Sequence, residues 1–315
     1  MDENTFSATS KVFRCANYIH LQGWGEPLLH PELNNMIRRI KKETRKCGFT
    51  TNGLLLSRDR IKGFLDLDVD VIAISMAGAN KDMHESIRRG TNFKKIVESA
   101  GHIANERERR SLKRPELALL FIMTTQNINQ LPEFVELASE LGATRVVPNN
   151  VDFVPCREID DLRAFNRQDR AQEYAELISR TKQRAKEKDI ELRIYPLFPE
   201  EQQICEADPL RNLYVSFDGC VSSCPYLALP VDQVPIYRDG DTRYVPRTCF
   251  GNAGEQDILD IWQKQGYLRF RDIFKRRKRI AMLNLISRAF LGGMRGTGEL
   301  PAPQECRGCY KLFGF

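Results

Sequence analysis

Four cysteines in the last third of the chain carry the spacing of a metal site. Cys205 is followed by thirteen residues and Gly219, then four residues and Cys224, and Cys306 and Cys309 close the set as a CxxC pair. Thiolates converging from separate loops suit a soft, redox-active centre, and four of them meet the need of one [4Fe–4S] cluster. Tetrahedral zinc also takes four thiolates and remains the rival. The long first spacer is unlike the paired CxxC knuckles of zinc ribbons, which favours iron. Cys220 and Cys249 are spare ligands, since a turn at Asp218–Gly219 would present Cys220 as readily as Cys224. Cys15, Cys47 and Cys156 suit small core residues or surface thiols.

A second group of residues lies at the ends of apolar runs. Gly23-Trp24-Gly25-Glu26-Pro27 follows one such run and precedes a helical pattern. Its glycines allow close backbone approach of a ligand, and Glu26 offers a carboxylate at the carboxyl end of a strand. A tight strand–helix turn explains the same residues equally well. Thr50-Thr51-Asn52-Gly53, Ser75, Met123-Thr124-Thr125 with Asn127, and Pro148-Asn149-Asn150 end the next four runs. Each alone suits a cap or turn. Their recurrence at one edge predicts a pocket there. Arg88 and Arg89 offer a guanidinium for a carboxylate, or a plain surface charge. His20, His30, His84 and His102 lack metal-ligand spacing and are read as structural, with His84 at the pocket rim.

These groups need a frame. Strand-like runs cover Tyr18–Leu21, Cys47–Thr51, Asp70–Ser75, Leu117–Met123, Arg145–Val147 and Glu191–Tyr195. Between them lie amphipathic stretches at Pro31–Lys46, Arg58–Leu65, Asn92–Asn105, Leu131–Leu141 and Asn166–Lys188. Pro31 and Pro132 suit first-turn positions, and Gly142 suits a helix end. Strand–helix alternation predicts parallel β/α units in a barrel or wound sheet. After Pro196 the periodicity weakens until Ile258–Phe274, so the chain divides into 1–196 and a cysteine-rich 197–315.

Composition sets outer limits. With 42% hydrophobic residues, including 17 Phe, the chain is globular and not disordered. No apolar run reaches membrane-spanning length and no signal-peptide pattern opens the sequence, so a cytoplasmic location and metal-bound thiols are expected. The net charge of +6 is concentrated in Arg107–Arg114 and Lys275–Arg279. These runs suit solvated helix faces first. Contact with an acidic peptide, nucleic acid or a membrane surface comes second, and absent interleaved aromatics make nucleic acid the weakest partner.

Tyr18 to Asn150 resembles the core of radical S-adenosylmethionine enzymes, whose GGE-type motif is similar to Gly23-Trp24-Gly25-Glu26-Pro27. Cys205 to Cys309 resembles the auxiliary-cluster module called SPASM, or its shorter twitch form. The resemblance implies a partial (β/α)6 barrel lacking its first strand, leaving five, followed by a cysteine-rich α+β module. It implies S-adenosylmethionine contacts at Gly23, Gly25, Glu26, Pro27, Thr51, Asn52, Ser75 and Asn149, and an auxiliary [4Fe–4S] cluster on Cys205, Cys224, Cys306 and Cys309. The family's CxxxCxxC is not found in these 315 residues; Cys15 alone precedes Tyr18. The expectation is therefore a truncated chain, unable to initiate radicals alone. The implied activity is an oxidoreductase or maturase working through a 5′-deoxyadenosyl radical on a peptide, protein or cofactor precursor. Its electrons would come from a donor such as a ferredoxin or flavodoxin. A non-catalytic iron–sulfur or electron-transfer protein is the alternative.

Overall fold

The computed structural model describes residues 1–43, 46–290 and 300–315. The chain forms two compact units. One comprises 13–151 with 161–197, the other 1–12, 152–160 and 198–315. The sequence places the division at 196/197; the structure additionally groups the first twelve residues and 152–160 with the carboxy-terminal unit.

The first unit, the sheet unit, holds six parallel strands in sequential order: β1 (Ile19–Leu21), β2 (Cys47–Thr51), β3 (Val71–Met76), β4 (Glu116–Met123), β5 (Arg145–Asn150) and β6 (Glu191–Leu192). The six strands follow the six strand-like runs of the sequence, with Glu191–Leu192 as a short edge strand, and correct the five that the resemblance implies. Helices α2 (Leu33–Glu43), α3 (Arg58–Asp66), α4 (Lys81–Ile87), α5 (Phe93–Arg109), α6 (Leu131–Glu140) and α8 (Ala171–Glu187) supply the crossovers. Pro31 stands two residues before α2 rather than in its first turn, whereas Pro132 does occupy the first turn of α6. Gly142 adopts φ +67 just past α6, where a Cβ would lie 2.6 Å from that of Ala104. The last residues expected of the helix Pro31–Lys46 include 44 and 45, which lie outside the described residues.

Side chains alternate across a strand, so parallel register decides which residues share a face. Pairing of His20 with Gly48, Thr50 with Ala73, Ser75 with Leu120 and Ile122 with Asn149 puts His20, Thr50, Ser75 and Asn149 on one side. Phe49, Ile72, Ile74, Leu119, Phe121 and Val146 take the other side and are fully buried. Burying each such side chain contributes roughly 1.5–3 kcal/mol, which fixes the register against a one-residue slip.

The sheet's amino edge is pinned by Asp70. Its carboxylate accepts from Lys41 Nζ, the Cys47 N–H and Arg114, each at 2.7 Å. Burial alone would raise its pKa, but these three donors outweigh it and hold the group below the usual carboxylate range. The run Arg107–Arg114 is thereby partly structural. Arg107 donates to the Pro115 and Gly142 carbonyls and Arg110 pairs with Asp66.

The second unit, the cysteine unit, contains α1 (Glu3–Thr9), α7 (Arg157–Asp160), the strand triplet β7 (Tyr214–Val215), β8 (Cys220–Ser222) and β11 (Gly251–Asn252), and the hairpin β9 (Gln233–Arg238) with β10 (Asp241–Pro246). Helices α9 (Ile258–Gln263) and α10 (Gln265–Phe290) follow. The periodic stretch Ile258–Phe274 is two helices that meet at Lys264, and α10 continues well beyond it. Its core joins Val221, Val245, Ile261, Tyr267, Phe270 and Phe274. Phe250 stacks on Tyr267 at 4.0 Å. Arg271 lies over the Trp262 ring at 3.6 Å, and Arg277 is buried among the carbonyls of Gln202, Gln203 and Leu300 and the Glu201 carboxylate. Part of the basic helix is therefore structural rather than solvated. Among the described residues no helix is long and apolar enough to cross a membrane.

Candidate metal centre and ligand edge

Cys205, Cys224, Cys306 and Cys309 line one cavity of about 50 Å³ in the cysteine unit. That is room for several water-sized groups. Three local arrangements bring the thiols there. Cys224 follows β8, whose hairpin from β7 turns through Gly219 at φ +84. A Cβ at Gly219 would meet Asn252 Oδ1 at 2.4 Å, and Asn252 itself donates to the Asp218 carbonyl. This explains the glycine within the cysteine spacing: both the backbone angle and the close approach exclude other residues. Gly308, at φ +87, turns the CxxC pair, and the Cys309 N–H closes the turn on the Cys306 carbonyl at 3.1 Å. The Cys205 carbonyl accepts from Asp208 N–H at 2.9 Å.

Burial raises all four thiol pKa values, Cys224 to about 12 and Cys309 to about 11. Charge on neighbouring thiols adds to the shift at Cys224, Cys306 and Cys309. Four thiolates therefore cannot persist together here without a cation to neutralise them; metal binding would release their protons. Leu227, Val234, Val245, Phe270 and Phe274 make the rest of the wall largely apolar. Among the described residues no three His, Cys, Asp or Glu side chains are placed to hold a single metal ion. Four thiols around one cavity meet the four-thiolate need of a [4Fe–4S] cluster.

The two spare cysteines go elsewhere. Cys220 and Cys249 are joined to each other as a disulfide, with Cα atoms 5.5 Å apart across the β8–β11 edge. Cys220 lies on β8 itself, so the turn does not present it alongside Cys224. Cys47 is a buried core thiol, pushed up to about 12 by burial, and Cys15 is exposed.

A charged group beside the cavity is absent from the sequence reading. Lys311 Nζ contacts Asp152 Oδ2 at 2.6 Å and Glu206 Oε2 at 2.9 Å, and Tyr226 Oη donates to Asp152 Oδ1 at 2.8 Å. Burial opposes the ammonium, but the two carboxylates raise its pKa overall.

In the sheet unit, Glu26, Thr51 and Asn52 come together. Glu26 Oε1 accepts from Thr51 Oγ1 at 2.6 Å and from the Leu28 N–H at 3.2 Å, while Oε2 accepts from the Asn52 N–H at 2.8 Å. Pro27 starts the short 3₁₀ turn that Glu26 caps. Asn52 spends its side-chain oxygen on the Leu54 N–H, and Gly53 takes φ +81. Gly23 and Gly25 are exposed bends, and a Cβ at Gly25 would touch nothing within 4 Å. Ser75, on the open face, accepts from Arg88 at 2.6 Å. Arg88 is half-buried, burial lowers its pKa, and its Nε has no hydrogen-bond partner. Asn149 is half-buried on the same face of β5. Thr51 and Asn150 face the helices instead. Asn127 also serves the frame, binding the Thr124 N–H and the Ala77 and Ile122 carbonyls. His84 is fully buried and accepts from the Ala77 N–H, so it is not a pocket-rim residue.

Fold, thiol cavity and ligand edge together define a class. Residues 14–138 match the radical SAM superfamily and residues 205–285 match the iron–sulfur cluster-binding domain SPASM. The chain thus carries a radical SAM domain and a SPASM domain, and these domains imply iron–sulfur clusters and S-adenosylmethionine. Cys306 and Cys309 lie beyond the second matched span.

Among relatives, the chain is 27% identical to the tungsten-containing aldehyde ferredoxin oxidoreductase cofactor-modifying protein of Pyrococcus furiosus, over 82% of this chain and 70% of that one. It is 24% identical to the mycofactocin maturase MftC of Mycolicibacterium smegmatis, over 40% of this chain and 31% of that one. The solved structure of SuiB from Streptococcus suis, bound to S-adenosylmethionine, superposes with a TM-score of 0.60 at 15% identity. It covers 82% of this chain, which spans 59% of SuiB. Native anSMEcpe with bound AdoMet and a peptide gives a TM-score of 0.60 at 15% identity, covering 87% of this chain and 76% of that one.

Proposed function

We propose that this chain is a radical SAM/SPASM-type iron–sulfur oxidoreductase or maturase directed at a peptide, a protein or a cofactor precursor, and that these 315 residues, which hold no CxxxCxxC, cannot initiate radicals alone. The observation that carries the reading is the convergence of Cys205, Cys224, Cys306 and Cys309 on one cavity within the SPASM unit. When bound, the cluster would supply one-electron chemistry or an anchor for substrate. The four thiols would hold it, and the apolar wall would keep water from it.

At the ligand edge, Glu26 has room for one further partner. An ionised carboxylate accepts about four hydrogen bonds, and three are taken by Leu28, Thr51 and Asn52. The remaining site would accept from the amino group of S-adenosylmethionine, held in place by the other three. Arg88, steadied by Ser75, would offer a guanidinium to a carboxylate on the same open face.

Relatives divide on substrate. One relative, matched over 82% of this chain, is a cofactor-modifying protein, whereas the PqqA peptide cyclases and SuiB, solved with its precursor peptide SuiA, support a peptide. A peptide or protein is the first reading, and a cofactor precursor the second.

The test is anaerobic incubation of the iron- and sulfide-reconstituted chain with S-adenosylmethionine and dithionite. These 315 residues contain no CxxxCxxC. The reading therefore expects S-adenosylmethionine binding that weakens in Glu26→Gln, with no 5′-deoxyadenosine formed. Binding indifferent to that substitution, or 5′-deoxyadenosine release, would contradict it.

A further inference from the structure

The thiol cavity has a charged neighbour built on the cysteine-bearing segments themselves. Glu206 directly follows Cys205, Lys311 stands two residues after Cys309, and Tyr226 stands two after Cys224. A single ammonium thus bridges two cysteine-bearing segments, through Glu206 at 2.9 Å, and also holds Asp152 at 2.6 Å. Tyr226 ties the third such segment to Asp152. Asp152, Tyr226 and Lys311 also line the cavity itself. The side chains of Lys311 and Asp152 are only 15% and 17% exposed, so solvent screens them weakly.

We propose that Lys311, Asp152 and Glu206 form a charged clasp that sets the reduction potential of the cluster held by the four thiols. The inference rests on the iron–sulfur reading above. Its physics is simple: reduction adds one electron to the cluster and moves no other group. A nearby ammonium favours that added charge and a nearby carboxylate opposes it. One lysine against two carboxylates leaves the clasp at net −1. Removing the ammonium takes it to −2, and neutralising Asp152 takes it to zero. The apolar wall, with low local polarisability, lets these changes reach the cluster. The clasp residues are positioning residues, since none is a ligand.

The experiment is an anaerobic redox titration of the reconstituted full chain with dithionite, followed by electron paramagnetic resonance. Lys311→Met is expected to lower the midpoint potential, and Asp152→Asn to raise it. Each shift should reach at least a tenfold change in the reduction equilibrium, about 59 mV for a one-electron couple. Lys311→Arg keeps the charge and should keep the wild-type potential. Shifts of the same sign, or none, would overturn the clasp and leave a packing role. Should Lys311→Met fail to bind iron, Glu206→Gln carries the test; a potential at or below wild type in that variant overturns the proposal. Wild-type protein that binds no iron would instead defeat the iron–sulfur reading itself, so the two failures are distinct.

Discussion

Glu26→Ala separates a structural carboxylate from a purely ligand-binding one. The substitution removes the acceptor for the Thr51 hydroxyl and for the Leu28 and Asn52 N–H groups. Hydrogen bonds to charged groups contribute about 1.5–3 kcal/mol each; Glu26 is half-buried, so about 1 kcal/mol apiece is the appropriate figure. The three together give about 3 kcal/mol. For a unit of this size each kcal/mol moves Tm by about 2–4 °C, so the sheet unit should melt about 6–12 °C lower. Thr51→Val, which deletes one of the three bonds and also the acceptor of the Gly53 N–H, should show about two thirds of that loss. The assay is thermal unfolding by circular dichroism, without S-adenosylmethionine. Faster amide exchange at Asn52, whose N–H Glu26 accepts, provides a local readout. A Glu26→Ala melt within about 1 °C of wild type would refute the reasoning and leave Glu26 without a structural role.

Three further outcomes follow from particular residues. Gly219→Ala should destabilise the cysteine unit by about 2 kcal/mol or more, measured by urea unfolding, because φ is +84 and Asn252 blocks the added Cβ. His84 is lowered to about 4, chiefly by burial and then by the Arg88 charge, from an unfolded value near 6.5. Its folded pKa is depressed, so the stability it contributes is intact above pH 6.5 and is lost as pH falls towards 4. The loss should approach about 3 kcal/mol, and His84→Gln should flatten that part of the stability–pH curve. Asp70→Asn should cost about 3 kcal/mol in denaturant unfolding, because Lys41 and Arg114 then face an uncharged amide at the sheet's edge.

The sheet unit was legible because its strands are β-branched and apolar runs bounded by turn residues. Val71–Met76 and Leu117–Met123 read clearly, while Glu191–Tyr195 shrank to two residues because Tyr195-Pro196 leaves the edge. The Glu26, Thr51 and Asn52 group was legible from strand ends, but not its internal hydrogen bonding. Those residues hold one another first and present only the remainder to a ligand. The pairing of Cys220 with Cys249 was not legible, since a 29-residue separation says nothing about which edge strand returns beside β8. Nor was the Lys311 clasp, whose members Glu206 and Lys311 lie 105 residues apart. A glutamate after one ligand cysteine and a lysine after another was the only signal. The basic helix misled because charge pattern does not show which arginines turn inward. Arg271 finds an aromatic face and Arg277 finds carbonyls, so both are buried despite their charge.

Metal and sulfide analysis of anaerobically reconstituted protein tests the central claim most directly, with Cys205→Ala, Cys224→Ala, Cys306→Ala and Cys309→Ala run alongside wild type. The account predicts roughly four iron and four acid-labile sulfide per wild-type chain, with broad visible absorption that each substitution diminishes. One zinc per chain without sulfide, or iron content indifferent to all four substitutions, would contradict it.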